Sequence, residues 1–354
     1  MKKQLGMKGV VFTEKQLNEA IENKQLLNIQ LAIPCGCLCD CVYCYQASSK
    51  TGSQITLKDV KRMIDQMKKL GSIYLQILGH GEPLLNKDFF DIVRYANHNG
   101  IYVSLFTCGD VLGDDNIAMK IHGIDGLEVI QRLKKMDISL FIKYELKNQD
   151  HIAQRQGYSA IRDRALERLI AAGFNSTTPT RLGITPVILN LNIHELREIY
   201  RWALSNNIYP HLCVLIPTGK AKDVSTRNLD ISHEELISLT IDNYKEAIDQ
   251  GYQYTGSTPF PGGVSCEYLR IGLYVDEFGD VFLCSGRDTG SLGNIKHDKL
   301  GEIWEKSFDE RRPFIHGHGC PWKEQVNTIP PHFYEVVDKA VKEYITLCET
   351  KENI

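Results

Sequence analysis

The sequence predicts an α/β protein in which six strand–helix units build a parallel sheet, followed by a smaller α+β segment. Three observations carry this. Short apolar strands alternate with amphipathic helices from residue 27 to residue 216. Repeated βα units imply right-handed crossovers and therefore parallel strands. Beyond residue 218 the alternation stops, and the Gly/Pro-rich "STPFPGG" (257–263) reads as a linker. A chain of 354 residues exceeds what one core usually serves. The expected division is an N-terminal helical segment (1–26), a main domain (27–225) and a C-terminal unit (226–354).

In chain order, a short charged helix over 13–24 precedes "LNIQLAI", where Leu27, Ile29, Leu31 and Ile33 face one way and Asn28, Gln30 and Ala32 the other. "TLKDVKRMIDQMKKL" has Thr56 as N-cap and Val60, Met63, Ile64 and Met67 at helical spacing. Strands follow at 73–78, 101–106, 138–144, 181–189 and 210–216. Helices stand between them at 87–100, 124–136, 158–173 and 193–207. The spacing then predicts a helix over 232–250, a β-hairpin in "RIGLYVDEFGDVFLC" with Gly279 at the positive-φ position of its turn, and an amphipathic helix over 333–347. Six units fall two short of a closed eight-stranded barrel. The pattern by itself fits either an open, partly curled barrel or a flat doubly wound sheet. Both place the site beyond the carboxyl ends of the strands.

The composition is that of an ordinary globular protein, 43% hydrophobic and 24% charged. Lys and Arg number 41 against 44 Asp and Glu, a formal charge of −3, so no overall field draws the chain to nucleic acid or anionic lipid. No window reaches the length of a signal peptide's apolar run or a membrane span, and the expected location is cytoplasmic. In that reducing setting eleven cysteines point to metal binding or chemistry rather than a disulfide framework.

Five of those cysteines fall within "PCGCLCDCVYCYQ" (34–46), directly after the first strand. Cys37, Cys41 and Cys44 stand in C-x3-C-x2-C spacing, with Tyr43 just before the last. Three thiolates on one tight loop suit one face of an iron–sulfur cube whose fourth iron has no protein ligand. Zinc knuckles pair two C-x2-C units, and no second one occurs in the chain. A structural zinc loop using four of the five thiols is the alternative. Cys35 and Cys39 have no assigned role.

With C-x3-C-x-aromatic-C after strand 1, the chain resembles the radical S-adenosylmethionine (SAM) superfamily. "LGHGEPLL" (78–85) after strand 2 resembles the family's Gly-Gly-Glu-Pro motif, with His80 in place of the first glycine. "FTCGD" (106–110) after strand 3 is similar to its Thr-Asn-Gly turn, with Cys108 in place of Asn. The resemblance implies a partial (βα)6 barrel with a small α+β auxiliary-cluster domain. It implies a [4Fe–4S] cluster on Cys37, Cys41 and Cys44, and SAM beside Tyr43, Gly81, Glu82, Pro83 and Thr107. Glu82 and carbonyls near Gly81 would accept from the SAM ammonium, and Arg155 would approach its carboxylate. The family's serine there has no counterpart, since Lys143, Tyr144 and Glu145 occupy the segment.

Farther on, Cys266, twelve residues, Gly279, four residues and Cys284 resemble the opening of SPASM and "twitch" extensions, and "HGHGCPW" adds Cys320. The later C-x2-C and C-x5-C spacings of a full SPASM domain are absent. The resemblance therefore implies a truncated extension with one auxiliary [4Fe–4S] cluster on Cys266, Cys284 and Cys320. The fourth ligand is left among His316, His318, an open iron, or Cys348, the last read better as a buried thiol.

The family's chemistry implies reductive cleavage of SAM to a 5′-deoxyadenosyl radical, hydrogen abstraction from substrate, and an external one-electron donor such as flavodoxin or ferredoxin. With about 26 residues before strand 1, too few for a peptide-recognition domain, the sequence favours a small-molecule substrate such as a sugar or aminocyclitol. Maturation or epimerisation of a ribosomally made peptide is the alternative, and a non-catalytic metal-binding scaffold a more distant one. Cys108 and Cys213 are candidate hydrogen donors, set against a plain reading as packed strand-end thiols.

Overall fold

Strand β1 (Asn28–Leu31) forms where the alternation places it, with Ile29 and Leu31 fully buried. It belongs to a computed structural model that describes residues 3–44, 50–79, 81–215, 218–223, 229–254, 267–286, 290–315 and 320–352. The other strands of the main sheet are β2 (Tyr74–Ile77), β3 (Tyr102–Thr107), β4 (Ser139–Ile142) and β5 (Leu182–Ile184). After β5 the chain turns out at Thr185 and Pro186, which lacks the N–H a ladder needs. The expected strands 181–189 and 210–216 are therefore each split. Val187–Ile188 (β6) pairs with Cys213–Val214 (β8) in a separate two-stranded sheet, while Tyr209–Pro210 (β7) closes the edge beside β5.

Strands β1, β2, β3, β4, β5 and β7 lie side by side in chain order, all parallel. A doubly wound sheet would reverse that order at a switch point. Its absence resolves the two arrangements in favour of the partial barrel. The C-terminal hairpin of β9 (Gly272–Val275) and β10 (Asp280–Phe282) continues the same sheet: β9 pairs parallel to β1, from Asn28↔Gly272 to Leu31↔Val275, and β11 (Gly293–Asn294) follows β10. At the hairpin turn Gly279 has φ +89°, and a Cβ there would lie 2.9 Å from Asn294 Oδ1, as the sequence requires.

The helices are α1 (Glu14–Glu22), α2 (Leu57–Lys69), α3 (Phe89–His98), α4 (Asp110–Gly113), α5 (Asp115–His122), α6 (Gly126–Lys135), α7 (Gln149–Ala153), α8 (Tyr158–Ala171), α9 (Leu196–Ser205), α10 (His233–Asp249), α11 (Glu267–Ile271), α12 (Leu300–Ile315), α13 (Pro321–Gln325) and α14 (Phe333–Glu352). Thr56 caps α2 as expected: its hydroxyl accepts from Asp59 N, and Asp59 accepts from Thr56 N. Val60, Met63, Ile64 and Met67 of α2 are buried against the sheet. Short helices α4, α5 and α7 have no periodic signature, and they carry or flank the site. No described helix is long and apolar enough to cross a membrane.

Candidate active site at the carboxyl ends of the strands

The chain leaves β1 and enters the cysteine loop, which the turns after three other strands hold in place. On the β2 side, Glu82 N donates to Gly36 O at 2.8 Å and Asn86 Nδ2 to Pro34 O at 2.7 Å. From beyond β4, the carbonyls of Ala153 and Ile152 accept from Asp40 N and Val42 N, both at 3.0 Å. Past β8, Lys220 N donates to Cys44 O at 2.9 Å, and its ammonium pairs with Asp40. Gly81 has φ +145°, and a Cβ on it would lie 2.5 Å from Gly36 O. That close approach of two backbones is what a glycine there permits. His80 lies outside the described residues.

Cys37 is exposed, and Cys35, Cys39, Cys41 and Cys44 are half-buried. Among the described residues no disulfide forms. The Cys39 thiol lies within hydrogen-bond reach of Cys37, Cys41 and Cys108. Its donation, against the opposing effect of burial and with help from Lys143, brings the Cys41 thiol down to about 6. Lys143 Nζ donates to Cys41 Sγ at 3.2 Å. Tyr43 packs with Ile152, Leu189 and Leu215, and burial pushes its phenol well up. The donor chemistry and placement suit an iron–sulfur cluster: thiols on one pinned loop, one side open, with a cation against the other.

Under the loop lies a second hydrogen-bonded layer. Glu82 is fully buried, and its carboxylate accepts from Thr107 Oγ1 (2.7 Å), Cys108 N (2.6 Å) and Leu84 N (3.0 Å). Glu82 thus ties the turn after β2 to the turn after β3, while Pro83 starts a single 3-10 turn (Pro83–Leu85). Thr107 Oγ1 also accepts from Gly109 N at 2.9 Å. Cys108 Sγ donates to Asp110 Oδ2 at 3.0 Å, and burial raises the thiol well above its ordinary value. Arg155 pairs with the buried Asp110, and the Tyr158 hydroxyl donates to Cys108 O at 2.6 Å. Cys39, Cys108 and Asp110 form one cluster of ligand atoms within 4.8 Å of one another.

Beyond β4 the fully buried Glu145 accepts from Val187 N at 3.2 Å and from Asn192 Nδ2. Its own N–H donates to Gln149 Oε1 at 2.7 Å, and Arg162 donates to its carbonyl. Burial outweighs the nearby Lys143 and raises the Glu145 carboxyl to about 8. A carboxyl whose folded value lies above its unfolded one stabilises the fold fully below the unfolded value, about 4.5, and loses that contribution as pH rises through about 8. Thermal stability is therefore expected to fall on the order of a few kcal/mol across that window. Glu145→Gln should flatten the profile, as melting curves from pH 4.5 to 8.5 would read; an unchanged slope in the variant would place the dependence elsewhere.

Cys213, on β8, accepts from or donates to Thr185 Oγ1 at 3.3 Å and lies near Tyr43 and Glu145. Among the described residues, the main-domain positions singled out from sequence thus gather at one end of the sheet. The C-terminal set is less complete. Cys284 accepts from Gly286 N at 3.3 Å, and Cys320 is buried in the main core. Cys266, His316 and His318 lie outside the described residues. Cys348 is a correction: expected buried, it is half-exposed near the end of α14, in hydrogen-bond reach of Tyr344, because that helix runs on past its buried Val341. Asp110, Tyr158 and Asn192 carry no sequence signal of their place in the site. Each is defined by a partner distant in the chain, and no local spacing reveals it.

Comparison with known proteins matches the radical SAM superfamily over residues 31–203 and the SPASM iron–sulfur cluster-binding domain over 266–324. The mycofactocin maturase MftC of Mycolicibacterium smegmatis is 26% identical, over 77% of this chain and 68% of that protein. The PqqA peptide cyclase of Xanthomonas oryzae is 24% identical over 85% and 78%, and the AdoMet-dependent heme synthase of Methanosarcina barkeri 24% over 77% and 80%. In structure, anSMEcpe with bound AdoMet and a Cp18Cys peptide aligns with TM-score 0.61 at 15% identity, over 93% of this chain and 99% of that one. Streptococcus suis SuiB bound to S-adenosylmethionine aligns with TM-score 0.60 at 15% identity, over 84% and 71%. At such identities the structural likeness establishes the fold. The cofactors that go with the two matched domains are [4Fe–4S] clusters and S-adenosylmethionine. The chain belongs to the radical SAM superfamily and carries a SPASM iron–sulfur domain.

Proposed function

We propose that the protein is a radical SAM enzyme that modifies a peptide. The observation that carries this is the pair of sequence relatives named as a mycofactocin maturase and a PqqA peptide cyclase, each of which aligns with most of the chain. They support a peptide over the sugar or aminocyclitol expected above. In this reading Cys37, Cys41 and Cys44 hold the cluster that cleaves SAM, and Cys266, Cys284 and Cys320 hold the auxiliary one. The bound cofactor supplies the radical that removes hydrogen from an unactivated carbon.

The chain's own residues position that chemistry. The pinned backbone of 36–44 presents the thiols on one side, and Gly81 brings the turn after β2 against Gly36. Glu82 and Thr107 brace the neighbouring turns, and Tyr43 walls the loop with apolar side chains that exclude water. Arg155 and Pro83 complete the SAM-facing set. The electron comes from an external donor such as a flavodoxin or ferredoxin, in a cytoplasmic setting, with residues 27–225 as the core and 226–354 as the auxiliary-cluster domain.

If the net reaction is an epimerisation, Cys108 or Cys213 returns a hydrogen atom to the substrate carbon, and the thiyl left behind regains a thiol by taking one electron from the external donor and one proton from solvent. Cys108→Ala, which keeps the N–H that Glu82 needs, is then expected to leave 5′-deoxyadenosine formation intact and to abolish the epimer. Unchanged product formation removes Cys108 from that role.

The function is tested by anaerobic reconstitution with iron and sulfide, followed by SAM, dithionite and the short peptides encoded beside the gene. Expected is 5′-deoxyadenosine together with a peptide that has lost hydrogen or, in D2O, gained a single deuterium. The heme synthase relative favours a second reading, oxidation of a small molecule. Turnover with a porphyrin or sugar, and none with peptide, would establish it instead.

A further inference from the structure

Lys143 stands one residue past β4, and its N–H continues the ladder by donating to Thr107 O at 3.0 Å. Its side chain points into the site rather than to water: the residue is 8% exposed. Lysines are almost never so buried without a partner for the charge. The Nζ lies 5.3 Å from the ring centre of Tyr43 and 5.5 Å from that of Tyr158. The hydrogen bond it makes is to Cys41 Sγ, at 3.2 Å. The other cations near the loop are engaged differently. Lys220 pairs with Asp40, and Arg155 pairs with Asp110 while reaching Cys39.

We infer that Lys143 tunes the reduction potential of the SAM-cleaving cluster through its hydrogen bond and charge at Cys41 Sγ; this rests on the assignment of Cys41 as a cluster ligand made above. Cluster potentials respond to hydrogen bonds on the ligand sulfurs and to net local charge. Taking up one electron makes the cluster more negative, so an ammonium against a ligand sulfur favours the reduced form more than the oxidised one. No proton moves, and the electron comes from the external donor. The two flanking tyrosine rings face the ammonium and favour its place beside Cys41. Lys143 is thus a positioning residue for the electron-accepting step.

The test compares reconstituted wild type with Lys143→Met and Lys143→Arg. The readout is the reduced-cluster EPR signal during a redox titration, with iron and sulfide content and SAM affinity measured beside it. The methionine variant should show the reduced-to-oxidised ratio at fixed potential lowered about tenfold, equal to about 59 mV for one electron. The arginine variant, which keeps charge and donors, should recover most of that. A methionine variant with wild-type ratio overturns the inference, and so does one whose SAM affinity alone falls, since Lys143 would then serve the cofactor carboxylate. If the methionine variant holds no iron, Lys143→Gln takes its place, and an unchanged ratio there is equally decisive. Absence of any cluster signal from the wild type would instead refute the ligand assignment itself.

Discussion

Cys41→Ser is expected to abolish cluster loading and 5′-deoxyadenosine formation. Loss of a residue that merely orients a metal ligand costs roughly 10–100-fold in affinity or activity, and loss of the ligand should exceed that. The informative comparison is with the other thiols of the loop. Cys39 lies within hydrogen-bond reach of Cys37, Cys41 and Cys108, so it is as central in the structure as any member of the C-x3-C-x2-C set. It also shares a ligand-atom cluster with Cys108 and Asp110. If spacing identifies the ligands, Cys37→Ser, Cys41→Ser and Cys44→Ser each lose the iron-dependent absorbance and SAM cleavage, while Cys35→Ser and Cys39→Ser retain both. Loss in Cys39→Ser together with retention in Cys37→Ser would transfer the ligand role to Cys39.

Gly81→Ala is expected to be the most damaging change outside the thiols. The added Cβ would lie 2.5 Å from Gly36 O, 2.8 Å from Gly36 C and 3.1 Å from Cys35 O, all backbone atoms that no rotamer change can move aside. Overpacking costs typically about 1–3 kcal/mol, and a non-glycine residue held at φ +145° adds about 1–3 kcal/mol of backbone strain. Relief requires the loop to swing away from Gly81, which breaks the bond from Glu82 N to Gly36 O. Lower melting temperature and reduced iron loading should therefore appear together. Gly36→Ala is the control: a Cβ there meets nothing within 4 Å, and loading should hold. If Gly81→Ala loads iron and melts like the wild type, the close approach of the two turns has no part in holding the loop.

Alternation and thiol spacing are properties of neighbouring residues, and they are legible without a structure. The apolar face of Ile29 and Leu31, the Thr56 cap with its buried Val60, Met63 and Met67, and the Gly279 turn all follow from local rules and recur in the fold. So does the gathering of Cys37, Tyr43, Gly81, Thr107 and Arg155 at one end, because parallel strands put every βα turn on the same side. The splitting of strands five and six is invisible to periodicity, although Pro186 marks the place. The apolar pattern runs unbroken across a residue that cannot donate to a ladder.

By itself, the sequence determined the α/β class, the superfamily, and the cysteine loop and turns that the fold places at the carboxyl ends of the strands, since all of these reside in spacings of a few positions. Only the tertiary structure decided how those residues are used. Glu82 is braced by the turn after β3, Arg155 is paired with Asp110, and Lys143 is set against Cys41, 102 positions away in the chain. It also decided that the C-terminal hairpin continues the main sheet along β1. The physical reason is the same in each case. Hydrogen bonds and charges act over a few ångströms, and folding alone decides which distant residues come within that range.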